Sequence, residues 1–417
     1  MRGIQIYNEI GRLRRVLVHR PGNETHNHAE DDFEQVFSLR PWSKRFDVDK
    51  ALEEHRALIE VFKRHGVEVV SVRDLLVETL ETQPGARDEL IDGFIAECGP
   101  RGHELLDAVR AKIKSASTGS ELADIIIGGI HYGETALFQP KARTLTNLAH
   151  EAFGEKTLLV NPLSTMFFTR DPATPIGRSI LLNHLYWPER NREVNIYRTI
   201  FNHHPIFSET PVCDQQRSSF HIEGGDILNL NKNTLMVGIS KRTETAAIDT
   251  LAHDLFWRNR ASEIKTIYAI RVPSDGLRIH LDTYISRIDV NNFIIDQDIC
   301  ETAEIYRLSK GARCGSYSAT AIEEGMRDVL SSIIGEPVRL LPCGGDNRSV
   351  TESERLGNAT AVLALAPGKL CVLEQNRSTN EALYKAGMDL EPVYIEELTK
   401  GFGGPNCLCL PLWRSEL

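Results

Sequence analysis

The stretch that organises this chain lies near its end and reads GFGGPNCLCLPL over residues 401–412. Glycines and a proline precede Cys407, so the backbone there can form a tight loop, and the apolar run that follows can anchor the tail. A cysteine on such a loop is typical of a nucleophile that meets its substrate late in binding. The alternative is a loop with two buried structural thiols, Cys407 and Cys409. The stretch alone does not separate the two interpretations, and turns elsewhere that carry a histidine and carboxylates favour the first.

Length and composition predict one large or two medium globular domains, because 417 residues is long for one ordinary core. The chain is 41% apolar and 25% charged, as soluble proteins are. Its net charge is −10 and it has no dense Lys/Arg run, which argues against nucleic acid and anionic membranes as partners. The first residues lack the apolar core of a signal peptide, and no apolar run approaches the roughly 20 residues of a membrane span. We therefore expect a cytoplasmic protein.

The cysteines give no sign of a disulfide framework or a zinc knuckle. Eight are present, and the two that lie close together, Cys407 and Cys409, do not have the CxxC spacing. This usage fits a reducing cytoplasm. The His26-Asn27-His28 run, with acidic residues after it, permits a metal interpretation, although a solvated loop is the simpler one. We expect no metal.

The first 73 residues predict a mixed α/β beginning. A strand is expected at 14–19, a helix at about 49–65 that ends at Gly66, and a short buried strand at 67–72. Helical patterns then follow one another at 88–97, 104–114 and 120–127, separated by Pro and Gly breaks. We interpret residues 74–150 as an inserted helical subdomain without chemistry of its own. Residues 1–73 and 151–417 would then form the catalytic α/β part.

Beyond residue 156, strand-like runs return, and each is expected to end in a polar turn. The turns read FTRD at 168–171, IEGGD at 222–226, IHLD at 279–282, LPCGGDN at 341–347 and GGPNC at 403–407. Counted from Asp171 to Glu223, His280, Asp346 and Cys407, they lie 52, 57, 66 and 61 residues apart. Modules of similar size predict a pseudo-symmetric array whose polar turns converge on one axis. Helical stretches expected at 243–257 and 318–334 favour α/β blades over an all-β propeller.

Together these motifs resemble the signature set of the arginine deiminases, a family of the guanidino-group-modifying superfamily. The NEIG opening at 8–11 and the HRPG turn at 19–22 belong to the same pattern, so the resemblance covers essentially the whole chain. It implies an α/β fold, namely a five-bladed pseudo-symmetric propeller of ββαβ modules with an inserted helical subdomain. The spacing of the turns leads to the same number of modules.

The resemblance also implies five reactive residues. Cys407 matches the family's nucleophile, His280 its general acid/base, and Glu223 the carboxylate that orients the histidine. Asp171 and Asp282 match two aspartates that clamp a guanidinium, a cation that stays charged because its pKa lies above about 12 and that suits bidentate carboxylates. The implied reaction forms a covalent amidino-thioether on the cysteine with release of ammonia, and water then hydrolyses it to a ureido product. The guanidino carbon is already activated by its charge, so no cofactor is expected.

The recognition end of the site departs from the family pattern. Arg190 and Arg242 match arginines that bind the substrate carboxylate, and Thr165, Phe168 and Gly404 are also expected to line the substrate. However, Thr165 stands where the family usually has asparagine, and Phe402 stands where many members have arginine. The loop at 29–39 lacks the usual Leu-Phe-Asp-Asp run. A derivative of arginine, or another guanidino acid, therefore remains open as the substrate.

The sequence thus predicts a cytoplasmic hydrolase that converts L-arginine, or a close guanidino acid, to the ureido compound and ammonia. An amidinotransferase, which would pass the amidino group from the same cysteine to an amine, is the first alternative. A catalytically silent binding protein is the second, and the intact set of five reactive residues argues against it. The expected partner is a small guanidino molecule, and a homo-oligomer is left open.

Overall fold

The structure is a computed structural model that describes residues 3–26, 46–99, 102–138, 157–273, 278–345, 348–400 and 403–417. Its strands, numbered along the chain, are β1 (Leu13–Val18), β2 (Glu68–Ser71), β3 (Ile130–His131), β4 (Leu158–Val160), β5 (Ala173–Ile176), β6 (Ser179–Leu182), β7 (Val212–Asp214), β8 (Ile227–Asn231), β9 (Thr234–Ile239), β10 (Thr266–Arg271), β11 (Ile285–Arg287), β12 (Asn292–Ile295), β13 (Glu304–Lys310), β14 (Tyr317–Ile322), β15 (Arg339–Pro342), β16 (Leu363–Ala366), β17 (Lys369–Leu373), β18 (Asp389–Val393) and β19 (Leu410–Arg414).

The helices of the same residues are α1 (Asn23–His26), α2 (Val48–Arg64), α3 (Val72–Thr82), α4 (Ala86–Glu97), α5 (His103–Lys114), α6 (Gly119–Gly128), α7 (Asn191–His203), α8 (Thr245–His253), α9 (Gln297–Thr302), α10 (Met326–Ile334), α11 (Arg348–Leu356) and α12 (Arg377–Lys385). Their starts follow local chemistry. The side chain of Asp47 accepts the Lys50 N–H at 3.1 Å and caps α2. Among these helices, none combines the length and the apolar character needed to cross a bilayer.

Five sheets of the described chain share one strand pattern. In each, an antiparallel pair is joined by a third strand parallel to the second, and the sheets are β19-β1-β2, β5-β6-β7, β8-β9-β10, β11-β12-β15 and β16-β17-β18. A helix connects the second and third strands of each sheet, namely α2, α7, α8, α10 and α12 in turn. This is the ββαβ order. The mixed α/β class is confirmed, and five sheets of one kind agree with the expected five modules.

One predicted helix is wrong in part. Residues 318–334 do not form a single helix, because Tyr317–Ile322 is strand β14 and only Met326–Ile334 is helical. Strand β14 pairs antiparallel with β13, which itself pairs with β10, so this hairpin extends the third sheet to five strands. The run of small and β-branched residues has no strong local preference, and pairing with the preceding strand β13 decides its conformation. Gly325 then begins α10.

Helices lie where an insertion was expected, and they begin earlier than predicted. Helix α3 was not anticipated at all, although the side chain of Ser71 caps it by accepting the Asp74 N–H at 3.2 Å. Apolar side chains of α3, α4 and α6 form one buried cluster with Tyr197 and Phe201 of α7 and with strands β6 and β19. The predicted end of the subdomain at residue 150 falls outside the described residues, so these boundaries stay a prediction.

The polar motifs lie before strands, not after them. Asp171, Glu223, Asp282 and Cys407 each stand two to four residues ahead of the first strand of a sheet, which is β5, β8, β11 and β19 in turn. The prediction that strands end in these turns is therefore reversed for four motifs. The LPCGGDN motif does follow its strand β15, and its Asp346 lies outside the described residues. Because these four turns precede equivalent strands of their sheets, the side chains that they carry come close together.

Candidate active site

Cys407 lies in the turn that enters β19 and is 6% exposed. Its Sγ points at Asp282, 3.7 Å from Oδ2, and the side-chain amide of Asn406 donates to the same oxygen at 3.0 Å. Burial, and then the charges of Asp282 and Asp171, raise the pKa of the Cys407 thiol well above its usual value. The free site therefore holds a thiol, and a cation bound between the two aspartates would favour the thiolate.

His280 is paired with Glu223, as expected. Its Nε2 lies 2.7 Å from Oε2 of Glu223, and its Nδ1 lies 3.9 Å from Oδ1 of Asp171. Burial lowers the pKa of His280, but the charge of Asp171 and the hydrogen bond to Glu223 outweigh it and raise that pKa to about 9. For Glu223, burial acts in the opposite direction and raises the pKa. The charge of Arg242 and the hydrogen bond with His280 outweigh burial and hold that pKa well below its usual value. At neutral pH the pair is an imidazolium beside a carboxylate, so the ring can donate a proton.

His280 and Asp282 are brought together by a turn, not by a strand. His280 is extended, with φ −133° and ψ 161°, and Asp282 sits in the short 3₁₀ turn Leu281–Thr283 that follows. A spacing of two residues would place both side chains on one face of a strand, but these two residues do not lie in a strand. The turn instead carries Asp282 towards Cys407 while His280 reaches Glu223.

The two predicted clamp residues differ in how far they are already bonded. Asp171 accepts a hydrogen bond from Arg190, whereas Oδ1 of the fully buried Asp282 has no hydrogen-bond partner among the described residues. Burial raises the pKa of Asp282, and His280 and Arg170 oppose that rise. A buried carboxylate oxygen without a donor is costly, so the site is primed to accept an N–H from a cationic ligand.

Arg190 is bound by protein carboxylates rather than standing apart as a cation. Its Nη1 donates to Oδ2 of Asp171 at 2.9 Å, and its Nε and Nη2 each meet an oxygen of Glu193 at 3.0 Å. Thr165, which departs from the family pattern, donates its hydroxyl to Oε1 of Glu193 at 2.8 Å. Arg190 therefore bridges the clamp and Glu193.

Arg242, the second predicted carboxylate binder, lies against Glu223. Its Nη1 is 3.4 Å from both oxygens of Glu223, and its guanidinium lies over the rings of Tyr186 and Trp187, 5.1 and 5.7 Å from their centres. The backbone N–H of Tyr186 also donates to Glu223 at 2.9 Å. Arg242 thus helps to keep Glu223 charged.

Close approach of two turns explains the glycines of the GGD motif. A Cβ on Gly225 would lie 2.6 Å from Nδ1 of His280, and a Cβ on Gly224 would lie 2.0 Å from the Arg170 carbonyl oxygen. The turns are also joined by Asp226, whose Oδ1 accepts the Leu281 N–H at 2.9 Å. A side chain at Gly225 would push His280 away from its partners, and one at Gly224 would push away the backbone of Arg170, next to Asp171.

Phe168 and Gly404 lie beside the cysteine loop. A Cβ on Gly403 would lie 2.2 Å from the Phe168 ring, so the ring packs on the loop backbone. The carbonyl of Gly404 accepts the Cys407 N–H at 3.0 Å. These contacts shape the wall around the thiol. Three features of the sequence lie outside the described residues: Phe402, the loop at 29–39, and Asn27 and His28. The side chain of His26 is not described either, so the metal interpretation of the His26-Asn27-His28 run has no structural test.

Two residues of this site were missed from the sequence. Glu193 stands three residues after Arg190, a spacing that puts both on one side of a helix entry and could have suggested an ion pair. Asn406 belongs to the GGPNC turn but was given no role, and it donates to the clamp aspartate Asp282. No local pattern marks Asn406, because its partner is 124 residues away.

Three side chains of the site are close enough to hold a metal ion. Asp171, Glu223 and His280 each offer a ligand atom, and these atoms lie within 4.8 Å of one another. The carboxylates, however, already have cationic partners, namely Arg190 on Asp171 and both Arg242 and His280 on Glu223. A metal ion there would have to displace the ion pairs of both carboxylates, whereas Oδ1 of Asp282, which has no partner among the described residues, can accept an N–H. The arrangement therefore fits an organic cation that donates N–H groups better.

The chain is similar to proteins of one family along its whole length. The sequence model of the family described as arginine deiminase matches residues 42–414. The arginine deiminase of Clostridium perfringens is 32% identical over 421 aligned residues, which cover 100% of this chain and 99% of the relative. That of Treponema denticola is 31% identical, with 99% of each chain covered.

Solved structures share the fold at low identity. An amidinotransferase of the saxitoxin biosynthetic pathway from Microseira wollei matches with a TM-score of 0.56 at 12% identity, over 99% of this chain and 98% of the other. DDAH from Pseudomonas aeruginosa in complex with citrulline matches with a TM-score of 0.51 at 13% identity, over 95% and 98%. The structures support the α/β fold, and the sequence matches decide the family: this chain belongs to the arginine deiminase family.

Proposed function

We propose that this chain hydrolyses L-arginine, or a closely related guanidino acid, to L-citrulline or the matching ureido acid and ammonia. The observation that carries the proposal is the position of the Cys407 thiol, 3.7 Å from the buried carboxylate of Asp282, with an imidazolium held by Glu223 in the same site. A planar cation between Asp171 and Asp282 would bring its central carbon to the sulfur. The cytoplasm remains the expected compartment.

Binding requires Arg190 to change partners. The substrate guanidinium and the Arg190 guanidinium both seek Asp171, and one carboxylate oxygen cannot serve two cations equally. A substrate with a carboxylate offers Arg190 a replacement for Asp171, while Glu193 keeps its hold on the arginine. Exchange of one ion pair for another lets the pocket accept the zwitterion without leaving a buried charge unpaired.

The first half of the proposed reaction forms the covalent intermediate. The thiol passes its proton to Asp282, and the thiolate attacks the guanidino carbon to form a carbon–sulfur bond. His280 gives its proton to the departing nitrogen, the carbon–nitrogen bond breaks, and ammonia leaves. An amidino-thioether remains on Cys407, and the imidazole is neutral.

The second half returns the enzyme to its starting state. Neutral His280 takes a proton from water as the oxygen attacks the same carbon. The carbon–sulfur bond then breaks, the sulfur recovers its proton from Asp282, and the ureido product loses its extra proton to solvent. The same imidazole serves as acid and then as base, which its pairing with Glu223 supports.

A panel of guanidino compounds tests the proposal. Purified protein is incubated with L-arginine, N-α-acyl-arginine, 4-guanidinobutyrate and agmatine, and ammonia and ureido product are measured, with the Cys407→Ser variant as the blank. Equal amounts of ammonia and ureido product from L-arginine or an acyl-arginine support the hydrolase. Ureido product from none of the four compounds rules it out. Amidino transfer that needs an added amine would establish the rival amidinotransferase.

A further inference from the structure

Arg170 is the member of the FTRD motif that the proposed reaction does not use. Its neighbour Asp171 faces the site, whereas the Arg170 side chain is 4% exposed and its Nη2 lies 3.1 Å from Oε2 of Glu9. The Arg170 backbone N–H donates to the Cys407 carbonyl at 3.4 Å. Its own carbonyl packs tightly on Gly224. Arg170 is therefore wedged between the cysteine turn and the turn that follows Glu223.

The charges behind the cysteine turn do not balance. Glu9 is shared, because it accepts from Arg170 and also from the Asn229 N–H at 2.9 Å. A second buried arginine, Arg414, donates from one nitrogen to the carbonyls of Gly11 and Ala364, and its Nε and Nη2 meet no acceptor in the described part of the chain. Glu9 acts electrostatically on both arginines. Two buried guanidinium groups, which keep their protons, face one carboxylate and leave positive charge in excess.

On the other side of the same turn the charge is negative. Asp282 and Asp171 face Cys407, with His280 and its partner Glu223 beyond them. Burial and the two aspartates raise the pKa of the thiol, while a hydrogen bond with the Gly404 backbone and the Arg170 charge oppose that rise. Arg170 also opposes the rise that burial causes in the pKa of Asp282. The cation thus acts on the nucleophile and on the carboxylate that takes its proton.

We propose that Arg170, held by Glu9 behind the cysteine turn, is a positioning residue whose charge, only partly balanced by the shared Glu9, favours the anionic forms of Cys407 and Asp282. The inference takes Cys407 as the nucleophile from the proposed function. It adds that charged groups outside the substrate pocket control the reactivity of the thiol. The quantity that matters is the balance between the positive charges of Arg170 and Arg414 and the negative charge of Glu9. Removing Arg170 and removing the Glu9 charge break the same ion pair, yet they change the field at Cys407 in opposite directions.

That opposition provides the test. The rate of alkylation of Cys407 by iodoacetamide is measured against pH without substrate, with the adduct mapped by mass spectrometry and Cys407→Ser subtracting other thiols. In Arg170→Gln, the midpoint of the profile should move to higher pH, and the rate below it should fall about tenfold for every pH unit that the midpoint moves. In Glu9→Gln, the midpoint should fall and the rate should rise. Arg170→Lys, which keeps the charge, should stay near wild type.

A purely structural role would give a different result. Loosening of the turn exposes the thiol, so both uncharged variants would then react faster and both midpoints would move towards that of an ordinary thiol. Such a result, or an unmoved midpoint in Arg170→Gln, overturns the proposal. Should Arg170→Gln not fold, Arg170→Met provides the neutral variant, and thiolate absorbance against pH gives a readout that does not depend on access. Since no guanidino substrate is present, failure here is distinguishable from failure of the proposed reaction.

Discussion

Cys407 and Cys409 are two residues apart and both buried, but their surroundings differ. Cys407 faces Asp282, whereas the Cys409 thiol points back at the Pro405 carbonyl at 3.4 Å, and burial raises its pKa to about 12. Cys407→Ser should therefore lose at least about 10³-fold in kcat, while Cys409→Ser should keep most activity. Mass spectrometry of acid-quenched enzyme should find the amidino adduct on Cys407. An adduct on Cys409 would reverse this assignment.

The raised pKa of His280 predicts how the activity depends on pH. Its imidazolium persists at neutral pH and is lost as pH rises through about 9, since the pair with Glu223 and the charge of Asp171 raise its pKa. kcat/KM for the substrate should be level near neutral pH and fall above about 9, because the first half-reaction needs that proton. The same charge stabilises the fold fully below the ordinary imidazole pKa and less as pH passes about 9. Glu223→Gln should move the alkaline fall to lower pH, and an unmoved fall would contradict the pairing.

The ion pair between Glu193 and Arg190 predicts that substitution of Glu193 lowers the affinity for the substrate. It holds Arg190 through both of its oxygens, so Glu193→Gln should leave Arg190 more dependent on Asp171 and a stronger competitor of the substrate. KM for L-arginine should rise about tenfold with little change in kcat, since one charge-assisted contact is worth about one such factor. Glu189→Gln, in the same segment, is the matched control. A fall in kcat at unchanged KM would instead place Glu193 in the chemical step.

A substrate without a carboxylate tests the exchange of partners by Arg190 from the side of the substrate. Agmatine, which has no carboxylate, would displace Arg190 from Asp171 and offer it nothing in return. Its kcat/KM should be lower than that of L-arginine by roughly 10²-fold or more, because a buried cation would lose a partner. Steady-state kinetics under identical conditions decide the point. Agmatine ahead of the guanidino acids would rule out Arg190 and Arg242 as carboxylate binders.

At the scale of elements, the site depends on turns that enter strands and pack on one another. The turn Gly224–Asp226 stands against His280 so closely that Gly225→Ala would push its new methyl group into the imidazole, 2.6 Å from Nδ1. A displacement of about 1 Å at the acid/base should lower kcat by about 10²-fold while the fold survives. Gly325→Ala, where φ is −69° and no atom lies within 4 Å of the added Cβ among the described residues, should keep full activity. Equal rates in the two variants would show that the contact does not matter.

At the scale of the molecule, the last strand completes the first sheet. Strand β19 pairs with β1, and its Leu410 and Leu412 are fully buried. A chain that ends at Cys409 should not fold, because each lost leucine costs about 2–5 kcal/mol and a domain has only about 5–15 kcal/mol to lose. Removal of the exposed Glu416 and Leu417 should leave Tm unchanged. Cooperative unfolding of the shorter chain near the wild-type Tm would contradict this closure.

Much of the fold was accessible from the sequence because the modules repeat. Polar motifs at steps of 52 to 66 residues predict five modules, with which the five sheets of one strand pattern agree, and helix patterns placed α4, α5 and α6 within two residues. Two features could not be predicted from the sequence: the β14 hairpin, and the position of four motifs before their strands rather than after them. The hairpin depends on pairing with the preceding strand, as between Tyr306 and Ala321, and the position of the motifs depends on pairing with distant strands, as between Leu17 and Leu410. Local propensity carries no record of either partner.

The sequence by itself determined which chemical groups are present and in what order: a loop cysteine, a histidine and carboxylates spaced as in one enzyme family. Tertiary structure decided how most of their charges are paired. The geometry set Glu193 and Asp171 on Arg190, Arg242 on Glu223, and Glu9 on Arg170. The physical reason is that a buried charge is costly unless an opposite charge or hydrogen-bonding groups lie within a few ångströms. Apart from the local pair of Arg190 with Glu193, which partner it finds depends on how segments 19 to 161 residues apart pack against one another.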